Sequence, residues 1–346
     1  MKKIIIATII ICIFSTSISM ASTEEELIDS QMDSFNISNF IAEANKYSNE
    51  VLKDMDIKDL LDDAIKGKLD TNELIKNCVP LLGTEIKDAL KVMGNILIKK
   101  TPAVIMSNFS SIITLTKEAV ANMISFIQLL FPLLMTLMLA SGSVVSVNLV
   151  QPIILFIINL ISNIFQTIII PIILVSTALS IISRISDRIQ INKLSKFLKS
   201  SSIWIIGILL TIFVGVLSIE GTLGSSVDGI TAKTAKAAIS SFIPVVGKVL
   251  GDAVDTVIGC SAILKNAIGI VGVIVVITIC IVPILKLAII TVIYHLTSAL
   301  CEPIADDKIV GLIAQMADTF KILLAILCSI SVMLIIGITL VINISN

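Results

Sequence analysis

The sequence has little charge and almost none of the side chains from which catalytic and metal sites are usually built. Of its 346 residues, 15% are charged, 56% are hydrophobic, and a single histidine, His295, is present. A soluble globular domain carries about 25% charged residues. One histidine excludes a multi-histidine metal site and leaves little for a Ser-His or Cys-His dyad. The net charge of −1 provides no basic field of the kind that binds nucleic acid, so no nucleic-acid partner is predicted.

Other motifs of enzymatic sites are missing as well. The six cysteines are scattered without a CxxC pair, and only Cys78 falls in the region that we predict to be exported, so no disulfide framework is expected there. No GxxxxGK[ST] motif occurs, so the chain itself has no P-loop for a nucleotide. Asp306 and Asp307 point to different sides of a helix, which favours a solvated face over a metal pair. We therefore predict no catalytic residue, no cofactor and no metal.

Long stretches without any Asp, Glu, Lys or Arg are the main positive signal. A transmembrane helix needs about 20 apolar residues, and together these stretches allow about six such helices. The sequence therefore predicts an all-α, polytopic integral membrane protein. The charge-free tracts are Ala119 to Ser183, Ser201 to Ile219, Asn266 to Leu285, and Ile322 to the C-terminus.

The first 21 residues have the pattern of a secretory signal peptide. Lys2 and Lys3 precede an apolar stretch, and the small residues Ser19 and Ala21 precede a cleavage position. An uncleaved first membrane anchor is the alternative.

Residues 22–118 are predicted to form a small extracytoplasmic helical region, with amphipathic helices lying on the membrane surface as the alternative. Gly67 is expected to end a first amphipathic helix, and Asp70 with Glu73 to cap the next. Pro80 is expected to kink or interrupt that second helix. The apolar face of the first helix consists of Ile57, Leu60, Leu61, Ala64 and Ile65.

Residues 119–346 are predicted to form a multi-span membrane domain. After a first span at 119–140, the stretch 148–183 is too long for one untilted span, so we divide it into spans 148–165 and 166–183; a long tilted or broken helix is the alternative. With residues 22–118 outside, three spans place the basic segment that follows in the cytoplasm, as basic loops prefer. That segment contains Arg184, Arg188, Lys193, Lys196 and Lys199 against the single acid Asp187.

Lys286 stands within an apolar tract that is interrupted by Pro283. A charge at such a depth is costly and usually faces protein or water. A helix break, a re-entrant segment and a lysine that reaches out from the end of a span are the three interpretations.

The polar loop at 220–265, predicted to face outward, contains a stripe of small residues. Gly247, Gly251, Asp255 and Gly259 recur every four residues, a spacing that allows a second helix to approach closely. We favour packing within the chain over an interface between like copies. The charges are balanced, which suits a polar loop or an aqueous path equally. They are Lys233, Lys236, Lys248 and Lys265 with Asp228, Asp252 and Asp255.

This loop resembles the stage III sporulation protein AE family of endospore-forming bacteria. The resemblance rests on the ordered segments at 217–221, 227–229, 242–247, 259–261 and 264–267 with neighbouring lysines and glycines. It extends from about residue 55 onward. The family has a further apolar segment after the region around Leu90, which Lys99, Lys100 and Pro102 interrupt here. The candidate motif and packing residues are Gly221, Asp228, Gly229, Lys233, Lys236, Pro244, Gly247, Gly251, Asp255, Gly259, Lys265, Asn266, Gly269 and Gly272.

The resemblance implies a non-enzymatic membrane subunit of a channel or secretion-like complex that links the mother cell and the forespore and supports late forespore development. It implies the mother-cell membrane around the forespore as the location. The implied partners are other stage III sporulation membrane proteins, including a separate ATPase and ring-forming subunits, besides membrane lipid and further copies of the chain. A self-contained secondary transporter, suggested by Pro152, Pro171, Pro283 and Lys286, is the alternative. The missing catalytic residues disfavour a membrane enzyme.

Overall fold

The computed structural model describes residues 26–48, 51–52, 55–69, 71–99, 102–185, 191–216 and 247–343. Every regular element in these ranges is a helix, which confirms the all-α prediction. Within them, five helices are long and apolar enough to cross a membrane, so the expected count of about six is not confirmed. The candidate spans are Ile105–Ala140, Phe156–Ser183, Asn192–Val216, Ala253–Cys301 and Asp307–Asn343.

Four helices precede the first candidate span: α1 at residues 26–34, α2 (Ile37–Ser48), α3 (Ile57–Ile65) and α4 (Thr71–Lys99). The predicted apolar face of α3 is confirmed, since Ile57, Leu60 and Leu61 are buried. The chain leaves this helix at Gly67, whose φ of 65° suits glycine.

Pro80 does not interrupt α4, contrary to our expectation. The helix runs continuously from Thr71 to Lys99 with Pro80 inside it and exposed. A proline removes only one hydrogen bond of the helical ladder, and the Thr84 hydroxyl donates to the Pro80 carbonyl oxygen over 3.2 Å. Asp70, the first half of the predicted capping pair, lies outside the described residues.

The stretch that we divided into two short spans is one continuous helix. After α5 (Pro102–Ala140) and the turn at residues 141–143, α6 (Val144–Ile164) passes through a π-helical segment (Phe165–Ile169) into α7 (Ile170–Ile185). The π segment lies directly before Pro171 and keeps the backbone bonded, with the Ile170 N–H donating to the Phe165 carbonyl oxygen. The division at 165/166 is therefore wrong, and the alternative of one long helix holds.

Three further helices complete the described fold: α8 (Asn192–Val216), α9 (Gly247–Cys301) and α10 (Asp307–Asn343). The 55 residues of α9 give a length of roughly 80 Å, well beyond the ~30 Å hydrocarbon core of a bilayer. Because α9 contains Pro283 without ending there, a helix break or re-entrant segment at that position is wrong.

Helices α5, α9 and α10 form the centre of the bundle. Asn108 of α5 is bonded to Tyr294 of α9, whereas Leu130 of α5 lies against Gly272, so α5 and α9 are antiparallel. Of the two ends of the bundle, the basic end holds the last turns of α7, the first turns of α8 and the connection between α9 and α10. The hairpin end holds the α5–α6 turn and the end of α10. A Cβ atom built on Gly142, in that turn, would lie 4.0 Å from Cδ1 of Ile258 on α9.

The N-terminal helices pack onto this bundle. The rings of Phe40 and Tyr47, both on α2, each lie 6.0 Å from the ring of Phe126 on α5. The Gln31 amide nitrogen donates to the carbonyl oxygen of Val257 on α9 over 3.3 Å. The boundary at 118/119 between the two predicted regions stays a prediction; in the structure this position falls inside α5.

Candidate functional site

The predicted motif residues divide into three groups in the structure. One group lies in segment 217–246, outside the described residues, and comprises Gly221, Asp228, Gly229, Lys233, Lys236 and Pro244. The second group occupies the first turns of α9, and the third lies further along α9, facing α5 and α10. This third group, formed by Lys265, Asn266, Gly269 and Gly272, is the candidate site and is called the α9 motif face.

Lys265 is completely buried on the α9 motif face. Its ammonium nitrogen donates to the carbonyl oxygen of Ile342, one residue before the end of α10, over 2.9 Å. The last carbonyls of a helix have no partner within it and carry the negative end of the helix dipole. Lys265 therefore satisfies the end of α10 instead of exposing its charge to an aqueous path.

Asn266, the next residue, places a polar atom in the same interior. Its side-chain oxygen is buried and has no hydrogen-bond partner among the described residues. A buried amide oxygen in this condition is uncommon, because desolvation without a hydrogen bond costs free energy. The α9 motif face therefore has one polar group in excess of what the described part of the chain satisfies.

Gly269 and Gly272 allow two neighbouring helices to approach α9. A Cβ built on Gly269 collides with the Ile342 side chain of α10, and one built on Gly272 would lie 2.5 Å from Leu130 Cδ2 of α5. Any side chain at either position requires its neighbour to move. Close packing is therefore found at these two glycines, which do not belong to the four-residue stripe for which we predicted it.

The stripe itself shows a different environment where it is described. Around Gly259 there is open space where a Cβ would be, and Asp255 is exposed. Gly247 and Gly251 lie in the first turns of α9. Packing within the chain, which we favoured, is thus absent at Gly259, and an interface between copies stays a prediction.

Lys286 has a carboxylate in its neighbourhood. Asp88 of α4 has a lowered pKa, first because Lys91 donates a hydrogen bond to it and in smaller part because of the positive charge of Lys286. Lys286 therefore lies within electrostatic range of α4, and its side chain is only partly buried. Of the three interpretations of Lys286, this position agrees best with a lysine that reaches out of the apolar tract.

Sequence reasoning missed a buried polar cluster between α7, α8 and α10, at the basic end. The hydroxyls of Ser180 and Ser195 are hydrogen-bonded to each other, and the Gln315 amide donates to Ser180 over 2.9 Å. Ser195 also donates to the carbonyl oxygen of Ser176 over 2.7 Å. These bonds join α7, α8 and α10 to one another.

Lys199 extends the same cluster. Its ammonium nitrogen donates to the Thr319 hydroxyl over 2.9 Å, and that hydroxyl lies 3.4 Å from the hydroxyl of Thr177. A usable sequence signal existed: Ser176, Thr177 and Ser180 have the spacing of one helical face within the charge-free tract 119–183. Gln315 and Thr319 repeat that spacing on α10. We had assigned Lys199 only to the basic loop.

The packing defines a class: a polytopic helical membrane protein built around the α5–α9–α10 bundle, with helices that satisfy their own backbone as a bilayer requires. Residues 100–345 match the family described as Stage III sporulation protein AE. The chain belongs to this family, as its resemblance predicted. It is 35% identical over 241 residues to the Stage III sporulation protein AE of Bacillus subtilis (strain 168).

That alignment covers 70% of this chain and 60% of the Bacillus protein, so the chain spans about three fifths of the relative's length. All five candidate spans begin and end within the family match. No solved structure matches the chain.

Proposed function

We propose that the chain acts in sporulation as a membrane subunit of a complex that links mother cell and forespore. The family match across residues 100–345 carries this proposal, because it includes the whole described membrane bundle. The role is structural: the subunit holds other proteins together in the membrane. Family membership supports the role in sporulation. The proposal goes further by naming a complex and placing it between mother cell and forespore.

The architecture supports a role in assembly. Helix α9 is roughly 80 Å long and contacts the N-terminal helices near Val257 as well as α5 and α10 deeper in the bundle. Such a helix extends outside the hydrocarbon core, where it presents a rigid surface to partners. The open surface around Gly259, near the hairpin end, is available for this purpose.

The proposed location is the mother-cell membrane around the forespore, with the hairpin end facing the intermembrane space. The basic end then lies in the cytoplasm of the mother cell, as basic segments prefer. Because α6 and α7 form one crossing, α5 begins at this same end, so the proposed orientation is incompatible with the expected export of residues 22–118 and is proposed in its place. The proposed partners are other stage III sporulation membrane proteins, including a separate ATPase that acts from the cytoplasm and ring-forming subunits in the intermembrane space.

Deletion of the gene in the source organism tests the sporulation role. We expect sporulation to stop after engulfment, with late forespore gene expression lost, and complementation by the intact gene to restore spores. A deletion strain that forms normal numbers of heat-resistant spores contradicts the proposal. Affinity purification of the tagged chain from sporulating cells separately tests the complex. If the chain is recovered without any other stage III protein, it is not a subunit of the proposed complex.

The transporter alternative loses its structural basis in the described residues. Pro152 and Pro283 lie inside continuous helices, and Pro171 follows a π segment that keeps the helix bonded. Discontinuous helices are the feature by which many secondary transporters bind substrate at the membrane midplane. Uptake of solute by the purified protein alone in liposomes would revive this alternative.

A further inference from the structure

A groove of about 400 Å³ opens between α8 and α10 at the basic end. Its polar part, called the lysine groove, is lined by Lys196, Lys199, Gln315, Asp318 and Lys321. Three lysines against one aspartate leave an excess of positive charge. The lysine groove therefore has the charge complementary to an anion.

The deepest of these lysines is held in place by the protein. Lys199 is only 5% exposed, and its ammonium nitrogen is fixed by the Thr319 hydroxyl over 2.9 Å. Thr319 in turn donates to the carbonyl oxygen of Gln315 over 2.9 Å. Among the described residues Lys199 forms no ion pair, Asp318 included. A buried cation with a neutral partner is costly, and an anion bound beside it would offset that cost.

The groove continues along α8 with apolar walls. Ile203, Ile322 and Ala325 line the apolar part of the same groove. Ile203 also belongs to an adjoining groove of about 430 Å³ on the surface of α8, with Trp204, Ile208 and Ile212. Trp204 is 71% exposed, and tryptophan is typical of the membrane–water interface.

Helix α8 is also the least covered of the candidate spans. In an apolar stretch of 18 residues of α8, 22% is buried by the rest of the protein. In the corresponding stretch of α9, 61% is buried. A site with a basic end and an adjoining exposed apolar surface matches a molecule that has an anionic head and an acyl tail. A soluble phosphate would use the lysines and leave the apolar surface unfilled.

We propose that this groove binds an anionic phospholipid. The phosphate lies among Lys196, Lys199 and Lys321, and an acyl chain follows Ile203, Ile208 and Ile212 along α8. Basic pockets between transmembrane helices bind anionic head groups in this way. The bound lipid joins α8 to α10, next to the polar cluster that joins both helices to α7. This assignment does not depend on the sporulation role, so either can fail alone.

The test uses the full-length protein, purified in detergent and stripped of lipid. Phosphatidylglycerol, phosphatidylcholine and inorganic phosphate are added in separate titrations, and bound lipid is counted by native mass spectrometry. We expect phosphatidylglycerol to bind roughly a hundredfold more tightly than phosphatidylcholine, given three lysines at about fivefold each. Equal binding of the two lipids overturns the proposal, and so does complete displacement of phosphatidylglycerol by inorganic phosphate, which identifies a small-anion site.

Variants locate the site. Lys196→Gln and Lys321→Gln change exposed side chains and should leave the fold intact. Loss of each lysine should weaken binding about fivefold, so the double variant should bind phosphatidylglycerol roughly 25-fold more weakly. Lys193→Gln is the matched control, because Lys193 is an exposed lysine of α8 that does not line the groove. If Lys193→Gln weakens binding as much as the double variant, the attraction is general and the proposal fails.

Photo-crosslinking identifies the occupant directly. Phosphatidylglycerol with a photoreactive acyl chain should label the segment 203–212, and Lys196→Gln/Lys321→Gln should reduce that labelling. Phosphatidylcholine with the same photoreactive chain reports general lipid contact. If segment 203–212 instead cross-links to a second copy of the chain or to another protein, the groove is a protein interface and the lipid assignment is overturned.

Discussion

The ammonium group of Lys265 reaches the end of the last described helix and donates a hydrogen bond to the Ile342 carbonyl oxygen over 2.9 Å. The two residues belong to the antiparallel helices α9 and α10. Lys265 is fully buried, so this bond connects a charge inside the bundle to a carbonyl group that the helix itself leaves unpaired. Close contact between Gly269 and the Ile342 side chain lies one turn further along α9.

Replacement of Lys265 by methionine should loosen the end of α10. The Ile342 carbonyl would be left without its donor, and the positive charge near the helix C-terminus would be lost. We expect the free energy of local opening there to fall by about 1 kcal/mol. Hydrogen exchange of the backbone amides at 338–343 in the detergent-solubilised protein measures the change.

Lys87→Met serves as the control for that substitution, since Lys87 is exposed on α4. It should leave exchange at the end of α10 unchanged. Equal protection of residues 338–343 in Lys265→Met and the intact protein would show that the bond contributes nothing to the end of the helix.

Gly272 and Gly259 provide a paired test of close helix approach. Gly272→Leu should destabilise the bundle by about 1–3 kcal/mol, because the new side chain collides with Leu130 of α5. Gly259→Ala should be neutral or stabilising by up to about 1 kcal/mol, since it adds a methyl group in open space and favours the helix.

Thermal unfolding of both glycine variants in the same detergent gives the comparison. If Gly272→Leu unfolds at the same temperature as the intact protein, α5 and α9 do not approach as closely as described. If Gly259→Ala leaves the stability unchanged yet prevents complex formation in sporulating cells, Gly259 lies at an interface with a partner.

Asp56 links α2 to α3 in a pH-dependent way. The Asn45 amide donates to its carboxylate over 2.9 Å and the Lys58 N–H over 3.0 Å, and these bonds lower the pKa of Asp56 below its ordinary 3.8. A lowered pKa in the folded state stabilises the fold above pH 3.8, and the stabilisation is lost as the pH falls through the folded-state value.

Asp56→Ala should therefore cost about 1 kcal/mol near neutral pH, as loss of a helix N-cap does. The difference from the intact protein should shrink as the pH falls below the ordinary pKa of 3.8. Unfolding measured at neutral and acidic pH tests this, with Asp63→Ala, an exposed acid at the other end of α3, as the control. A deficit that is the same at both pH values would assign the effect to something other than the carboxylate charge.

The continuity of α6 and α7 predicts a single membrane crossing between residues 144 and 185. In a cysteine-free background, cysteines introduced at Ser141 and Asn192 should be labelled by a membrane-impermeant reagent from opposite faces. Glu302→Cys, in the connection between α9 and α10, should share the face of Asn192→Cys, which we place in the cytoplasm. If cysteines at Ser141 and Asn192 are labelled from the same face, the chain crosses the membrane twice between them, as two short spans at 148–165 and 166–183 would require.

Much of the bundle was predictable because apolar length and charge are properties of the sequence itself. The tracts 119–140, 201–219 and 322–342 each exceed or approach the length of a span, and the described part of each lies in a membrane-length helix of the structure. The apolar face of α3 and the turn at Gly67 were also predictable, since both depend on residues a few positions apart.

The prolines were interpreted incorrectly because their effect depends on surroundings. Pro80, Pro171 and Pro283 each remove one backbone donor, and the sequence does not tell whether a helix ends there or continues. The structure continues all three helices, once with a π segment directly before the proline. Our division of 148–183 into two spans assumed that the helix ends near Pro171. The expected count of about six spans included that division.

The candidate site was predictable only in part. The resemblance to the family supplied Lys265, Gly269 and Gly272 as motif residues, without placing them on one face of a helix. It could not supply Ile342 and Leu130 as their partners, nor the meeting of Lys199 with Thr319, 120 residues apart. By itself, the sequence determined an all-helical membrane protein and its family, since hydrophobicity, periodicity and motifs are local. Only the tertiary structure decided which polar groups are buried together, because that depends on how helices distant in sequence pack against one another.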